Sequence, residues 1–342
     1  MSTSTRLVHI DALRGLAVLL MVLVHAAATW EPTFSGGFLL LGVVVSGAGG
    51  LAAPLFVALL GWGLYQRALT LRQRVHRAVW LFFFQFVINL SAPHLFEPWT
   101  PGVLSLMGLL VLIEPAWRPL FQTSKSARRS FATVVLLTFF LSVLLSPYQG
   151  PSVWESRIDT PNIVWLMKHL TLTGLYPLFP WIVFCFFGTF VASQDNHDKH
   201  KGLLMVFTIG LVVSMAVLAI STSRGEVWAL PTGDAALTFF PANTPFLIAA
   251  LTGVALLWWI VERLSIVHGL AGLGRVSLTV YVAHFLPFAW FHTADEVNAW
   301  SPLMTSLVVV GYTVFWIVGG LWLSKHASNL TLEAWMRGKR SA

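Results

Sequence analysis

Between residues 9 and 30 the chain reads HIDALRGLAVLLMVLVHAAATW, an apolar run that holds an aspartate, an arginine and a histidine. On a helix of 100° and about 1.5 Å per residue, Arg14 and His25 fall within roughly 20° of one another, about 16 Å apart along the axis. Asp11, three residues before Arg14, is placed to pair with it across one turn, and His25 stands near the other end. The stripe thus offers an ion pair at one end and a titratable imidazole at the other. An ionisable group facing lipid is expensive, so these residues should face protein or a watery cavity, and they are functional candidates by default. Three plainer readings compete. Asp11 and Arg14 also suit the interface where a span enters the membrane. His25 also suits a hydrogen bond to a neighbouring helix. A secretory signal cleaved after Ala26, Ala27 or Ala28 is the third, and it is disfavoured because Asp11 and Arg14 abut the apolar run and further spans follow.

A second constellation lies in GRVSLTVYVAHF, residues 274–285, where Ser277, Tyr281 and His284 follow i, i+4, i+7 spacing and form one polar face. His284 is expected about 12 Å into the membrane from the start of that span. A purely structural stack of polar side chains is the competing account.

The elements that must position these groups are membrane spans. Of 342 residues, 56% are hydrophobic and 10% charged, with a mean hydropathy of +0.75 and sixteen tryptophans. Soluble domains average about 25% charged residues. Apolar stretches succeed one another with short polar breaks, so one all-α, polytopic helical bundle over residues 1–342 is expected rather than two soluble domains. The single cysteine, Cys185, excludes an intramolecular disulfide and a cysteine-based metal site.

Ten spans are expected, near 13–30, 48–66, 78–96, 101–121, 130–147, 174–193, 202–221, 244–262, 276–292 and 302–323. With both termini cytoplasmic, eighteen of the 21 lysines and arginines fall inside, Arg6, Arg14, Arg72, Arg118, Arg275, Lys339 and Arg340 among them. Only Arg157, Lys168 and Arg224 fall outside. That asymmetry supports the count and the orientation, and topology accounts for the net charge of +7.

Residues 34–50 are glycine-rich and apolar, and are expected to form a re-entrant or interfacial piece, tolerated at membrane depth only where protein or water satisfies its backbone. Gly61 and Gly63 suit either close helix packing or ligand access to backbone. Gln85 and Asn89, four residues apart, suit interhelical hydrogen bonds, and Glu114 suits an interface pair with Arg118. The external connection 148–173 either recognises an acceptor or is a solvated loop. Neither it nor the loop 221–244 carries a specific metal-ligand or phosphate-binding motif. The tail 324–342 is expected to be a cytoplasmic, amphipathic or disordered end attracted to anionic lipid.

Four stretches, IDALRGLAVLLMVLVH (10–25), LAAPLFVALLGWGL (51–64), YPLFPWIVFCFFG (176–188) and GRVSLTVYVAH (274–284), resemble successive helices of one family, with FFPANTPFLIAALTGVALL (239–257) as a weaker fifth. The family is that of bacterial membrane proteins similar to heparan-alpha-glucosaminide N-acetyltransferase, within the transmembrane acyltransferase superfamily that also holds the acyltransferase-3 proteins. The resemblance implies an enzyme of the bacterial cytoplasmic (inner) membrane that takes an acyl group from cytoplasmic acyl-CoA, acetyl-CoA first. The acceptor is a hydroxyl or amine of a sugar or other molecule at the outer face. His25 would act as general base or acyl-accepting nucleophile. Arg14 and Asp11 match the family's cytoplasmic-end motif, and Arg14, with Arg275 as second candidate, would face the donor's phosphates. An extended pantetheine arm has a reach comparable to the axial offset between Arg14 and His25. Tyr281 and His284 would approach the same cavity, orienting His25 or an oxyanion. One feature departs from the family. In the animal lysosomal enzymes the first helix ends in asparagine and the catalytic histidine lies in the loop beyond, whereas here that loop, residues 29–37, holds Trp30 and Glu31 and no histidine.

No metal is expected, and the expected partners are the lipid bilayer and the acyl acceptor, without nucleic acid. A homo-oligomer or larger membrane complex stays open. Two other functions fit the same sequence: a transporter or flippase of a small polar or lipid-linked substrate, which would also need a polar stripe beside broken helices, and a non-catalytic accessory subunit whose many aromatic residues face partner helices.

Overall fold

The computed structural model describes residues 7–34 and 36–337; Arg6, Lys339 and Arg340, placed inside by the charge count, lie outside them. Among the described residues the chain is helical apart from loops and one two-residue parallel pairing, Ala229–Leu230 with Leu237–Thr238. The ten expected spans coincide with ten helical segments. They are α1 (Val8–Trp30), α2 (Gly36–Gln66), α3 (Leu71–Ser91), α4 (Val103–Leu112, bent by 60° into Glu114–Phe121), α5 (Ser124–Tyr148), α6 (Ile163–Thr173, bent by 49° into Leu178–Ser193), α7 (Asn196–Ser223), α8 (Thr244–Arg263), α9 (Ser265–Arg275, bent by 65° into Ser277–Asn298) and α10 (Pro302–His326). A short α11 (Leu332–Arg337) follows. Six of these helices are alone long and apolar enough to cross a membrane, nine if each bent pair is one span. The tenth, α3, is 21 residues long and polar at its start, where Thr70 and Gln73 form a capping box ahead of Arg72, Arg74 and Arg77. This is an all-α, polytopic membrane protein.

One expectation needs correction. Residues 34–50 are not an irregular re-entrant piece, because from Gly36 onward they are the first half of α2, helical throughout, with a π-turn at Val44–Ala48 and 3₁₀ turns at Gly36–Phe38 and Gly49–Leu51. Among the glycines there Gly49 serves close packing, whereas a Cβ on Gly36, Gly37 or Gly47 would meet open space. A Cβ on Gly49 would lie 2.1 Å from Cγ2 of Val24 on α1, so only glycine lets these helices approach so closely.

Two compact units divide the chain, residues 1–56 with 257–342, and residues 57–256. The second is built on close backbone crossings and satisfied polar groups. A Cβ on Gly61 would meet the Cys185 carbonyl oxygen at 2.0 Å and one on Gly188 the Ala58 carbonyl oxygen at 1.7 Å, so Gly61 serves packing of α2 on α6. Gln85 donates to Asn89 (2.9 Å) and accepts from the Leu104 N–H (3.2 Å), while Asn89 donates to the carbonyls of Pro98 and Thr100. The pair therefore ties the start of α4 to α3, which is the interhelical role. Glu114, buried, lies 3.4 Å from both Arg74 and Arg118, and the expected ion pair includes a second arginine.

The connection 148–173 is more ordered than a solvated loop. Arg157, on a short helical turn at Glu155–Ile158, is 1% exposed and donates to five backbone carbonyls, those of Thr173, Gly174, Gln149, Gly150 and Pro151. Burial pulls its guanidinium down to about 10. His169 sits beside it, one ring nitrogen 2.8 Å from the Thr173 hydroxyl and the other 2.9 Å from the Asp159 carbonyl oxygen. Five carbonyls converging on one cation make Arg157 the peg of this loop. Arg157→Met strands them, and the expected cost is about 3 kcal/mol or more, read as a lower melting temperature in detergent and proteolytic nicking confined to residues 148–174.

The first unit centres on α1. Val18 and Val22 of α1 pack with Leu273, Val276 and Val280 of α9, and Tyr312, Trp316 and Ile317 of α10 cover this cluster. The first arm of α9 crosses α1 almost backbone to backbone. A Cβ on Gly274 would lie 1.7 Å from the Asp11 carbonyl oxygen, and one on Gly15 would lie 2.2 Å from that of Leu270. Two glycines facing each other across a helix crossing permit this approach.

Candidate active site

Unbroken from Val8 to Trp30, α1 keeps the stripe intact. At its start the buried Asp11 carboxylate accepts from Nη1 of Arg14 at 3.4 Å, and the Arg14 side chain is one-third exposed. Nearby on the sequence, His9 Nε2 lies 3.3 Å from Glu262 Oε1. The close contact of Gly274 with Asp11 brings Arg275 to this same end of α1, but its side chain is exposed and donates to the Ser324 hydroxyl at 3.2 Å.

Eleven residues further along α1, His25 meets the second constellation. Its Nδ1 lies 3.0 Å from Nε2 of His284, and the two rings stack at 5.2 Å with 9° between their planes. Tyr281 stands 6.2 Å from the His25 ring and 5.8 Å from the His284 ring. Three of the six singled-out residues thus form one cluster, and the other three share the opposite end of α1. Ser277, grouped with Tyr281 and His284 by spacing, is the first residue of its helix and takes no part in the cluster.

The hydrogen bonds fix the protons. His284 Nδ1 lies 3.0 Å from the Val280 carbonyl oxygen, which can only accept, so Nδ1 carries the proton. In neutral His284 the other nitrogen, Nε2, is then bare and accepts from Nδ1–H of His25. That assignment leaves the lone pair of His25 on its own Nε2. Among the described residues no hydrogen bond reaches that atom, and the His25 side chain is half-buried. A hydrogen-bonded imidazole with a lone pair held away from its partner is equipped to take a proton from an attacking group or to attack a carbonyl itself.

Local sequence explains why His284 points there. The helix Ser277–Ala283 ends at His284, which caps it, and turns at residues 284–287 lead into Phe288–Asn298. Pro287 has no N–H to continue the ladder. The break leaves the His284 carbonyl outside the regular helical bonding, and the Tyr312 hydroxyl of α10 donates to it. Spacing alone did not reveal Tyr312, although a phenol in an otherwise apolar span was a visible signal. An aromatic wall completes the surround: Phe285 lies 4.6 Å from His25, and Trp30 packs edge-on against Phe288 and Tyr312. Trp30 is buried, and Glu31 ends α1 in a left-handed cap.

Among the described residues no group of three or more His, Cys, Asp or Glu side chains is placed to hold a metal ion. No curated protein matches the chain. The family model for the catalytic region of heparan-alpha-glucosaminide N-acetyltransferase matches residues 6–204, more than half of the sequence. The match includes Asp11, Arg14 and His25, while Arg275, Tyr281 and His284 lie beyond it. The chain belongs to the heparan-alpha-glucosaminide N-acetyltransferase catalytic family.

Proposed function

We propose that this protein is an acyltransferase of a bacterial cytoplasmic membrane. It moves an acetyl or other acyl group from cytoplasmic acyl-CoA to a hydroxyl or amine of a sugar or other acceptor at the outer face. The observation that carries the reading is the His25–His284 hydrogen bond backed by the Val280 carbonyl, which leaves a lone pair on His25 Nε2. Membership of an N-acetyltransferase family supports it.

In the reaction the acceptor O–H or N–H gives its proton to His25 Nε2 as the heteroatom attacks the thioester carbonyl. The C–S bond then breaks, and the proton passes to the leaving thiolate, so that acceptor and acyl-CoA become acylated acceptor and free CoA. His284 does not touch substrate in this scheme. By accepting from His25 Nδ1–H it stabilises the imidazolium that forms transiently and holds the ring in register. At the other end of α1, about 16 Å away, Arg14 faces the phosphates of the donor. Asp11 holds its guanidinium in place, and Arg275 is the second candidate.

Purified protein in detergent with radiolabelled acetyl-CoA tests this. Release of CoA with transfer of label to an acceptor, or an acyl-protein, is expected. Neither binding nor turnover of any acyl-CoA overturns the reading. The broken course of α9, bent by 65° between Arg275 and Ser277 and interrupted again at His284, favours the second reading, a transporter or flippase, and substrate flux that survives His25→Ala would select it.

A further inference from the structure

The helix that carries Tyr281 and His284 is only seven residues long, Ser277–Ala283, and Val276 before it provides no side-chain cap. Its first N–H groups therefore need partners from elsewhere. They find them 55 residues away in sequence, on α11. One oxygen of Glu333 accepts from the Leu278 N–H at 2.6 Å and the Thr279 N–H at 3.3 Å. Its other oxygen accepts from the Thr279 hydroxyl at 2.6 Å, and that hydroxyl in turn accepts from the Leu332 N–H at 2.8 Å. Four hydrogen bonds thus join the C-terminal segment to the start of the site's own helix. A carboxylate at a helix N-terminus is also favoured by the helix dipole. The tail, expected to be amphipathic or disordered, is fastened to the fold at Glu333.

We infer that Glu333 is a positioning residue for the reaction, and that the C-terminal segment is a strap setting where His284 stands against His25. This inference rests on the acyl-transfer reading of the site. The helix has two anchors, Glu333 at its first turn and the Tyr312 hydroxyl at the His284 carbonyl where it ends. Two turns of helix are about 10 Å long. Over so short a rigid element, a shift at the first turn is delivered nearly whole to the last. A reacting geometry misplaced by about 1 Å can cost a hundredfold in rate. Glu333 itself reaches no substrate, and it acts through the helix.

Glu333→Gln keeps size and one acceptor oxygen but replaces the other with an amide that cannot accept from the Thr279 hydroxyl, and Thr279→Val removes that hydroxyl from the other side. Each variant is expected to lower kcat by about tenfold, with KM for acetyl-CoA within about twofold of wild type, which marks loss of a transition-state arrangement rather than of binding. The double variant should lose no more than either single one, because both remove one coupled interaction. Unchanged kcat in both singles, additive losses, or a kcat that falls only in step with the melting temperature overturns the strap. A second readout needs no turnover. Carbethoxylation of His25 by diethyl pyrocarbonate, followed by peptide mass spectrometry, should slow by about threefold or more in Glu333→Gln, as a displaced His284 no longer accepts from Nδ1–H and so no longer raises the nucleophilicity of Nε2. An equal rate in variant and wild type overturns the inference. A wild type inert toward acyl-CoA would instead remove the acyl-transfer reading, and the labelling arm would still decide the strap.

Discussion

His25→Ala is expected to lower acetyl transfer from acetyl-CoA by about a thousandfold and to leave donor binding within a few-fold of wild type. A positioned general base contributes about 10²–10⁴ in rate. In the proposed reaction the base is His25, whose Nδ1 proton is placed by His284 and, behind it, the Val280 carbonyl. Donor binding survives because the charged group proposed to meet the phosphates lies at the far end of α1. Arg14→Ala is expected to give the complementary result, a KM for acetyl-CoA raised about tenfold or more with kcat at saturation largely kept. The two variants together separate the two ends of one helix. Rapid-quench turnover and equilibrium binding of labelled acetyl-CoA read both quantities. A His25→Ala enzyme with wild-type turnover removes this histidine from the chemistry, and one that no longer binds donor makes it a binding residue instead.

The stripe on α1 was legible in the sequence because a straight helix converts spacing directly into geometry. Asp11, Arg14 and His25 occupy the places that 100° per residue assigns them, and α1 has no break to disturb the count. The approach of Tyr281 and His284 to His25 was legible only through the resemblance, since residues 259 positions apart share no local pattern. Tyr312 and Glu333 were not legible as parts of the site. Each acts on backbone groups, a stranded carbonyl and two uncapped N–H groups, that exist only once the α9 helix has broken at both ends. The structural role of Arg157 was not legible for a related reason. A charged residue in a polar connection looks solvated until five carbonyls are seen to close around it. Glycines misled in the opposite direction. At residues 47–50 they suggested irregular backbone, whereas the helix continues through them and Gly49 spares the backbone of α2 a clash with Val24.

Gly274→Ala is expected to be the most damaging single methyl that the first unit can receive. The added Cβ would stand 1.7 Å from the Asp11 carbonyl oxygen, 2.7 Å from its carbon and 2.9 Å from the Gly15 nitrogen. All three are backbone atoms of α1, so no side chain can turn aside, and the crossing itself must open. Overpacking usually costs about 1–3 kcal/mol and more where nothing can yield, so about 3 kcal/mol or above is expected here. Gly272→Ala, two residues earlier, is the control. Its Cβ would meet the end of the Leu321 side chain at 3.0 Å, which can rotate away, and near-neutral stability should follow. Thermal unfolding of both variants in the same detergent gives the comparison, and equal melting temperatures would show that the crossing is looser than the contact distances imply. Function should fail in Gly274→Ala even in the fraction that folds. The arm of α9 that Gly274 seats on α1 leads directly into the helix bearing Tyr281 and His284. Prising that arm off the start of α1 tilts the imidazole of His284 away from His25 about 16 Å along. A glycine beside the arginine end of the helix thereby controls whether the histidine end can react.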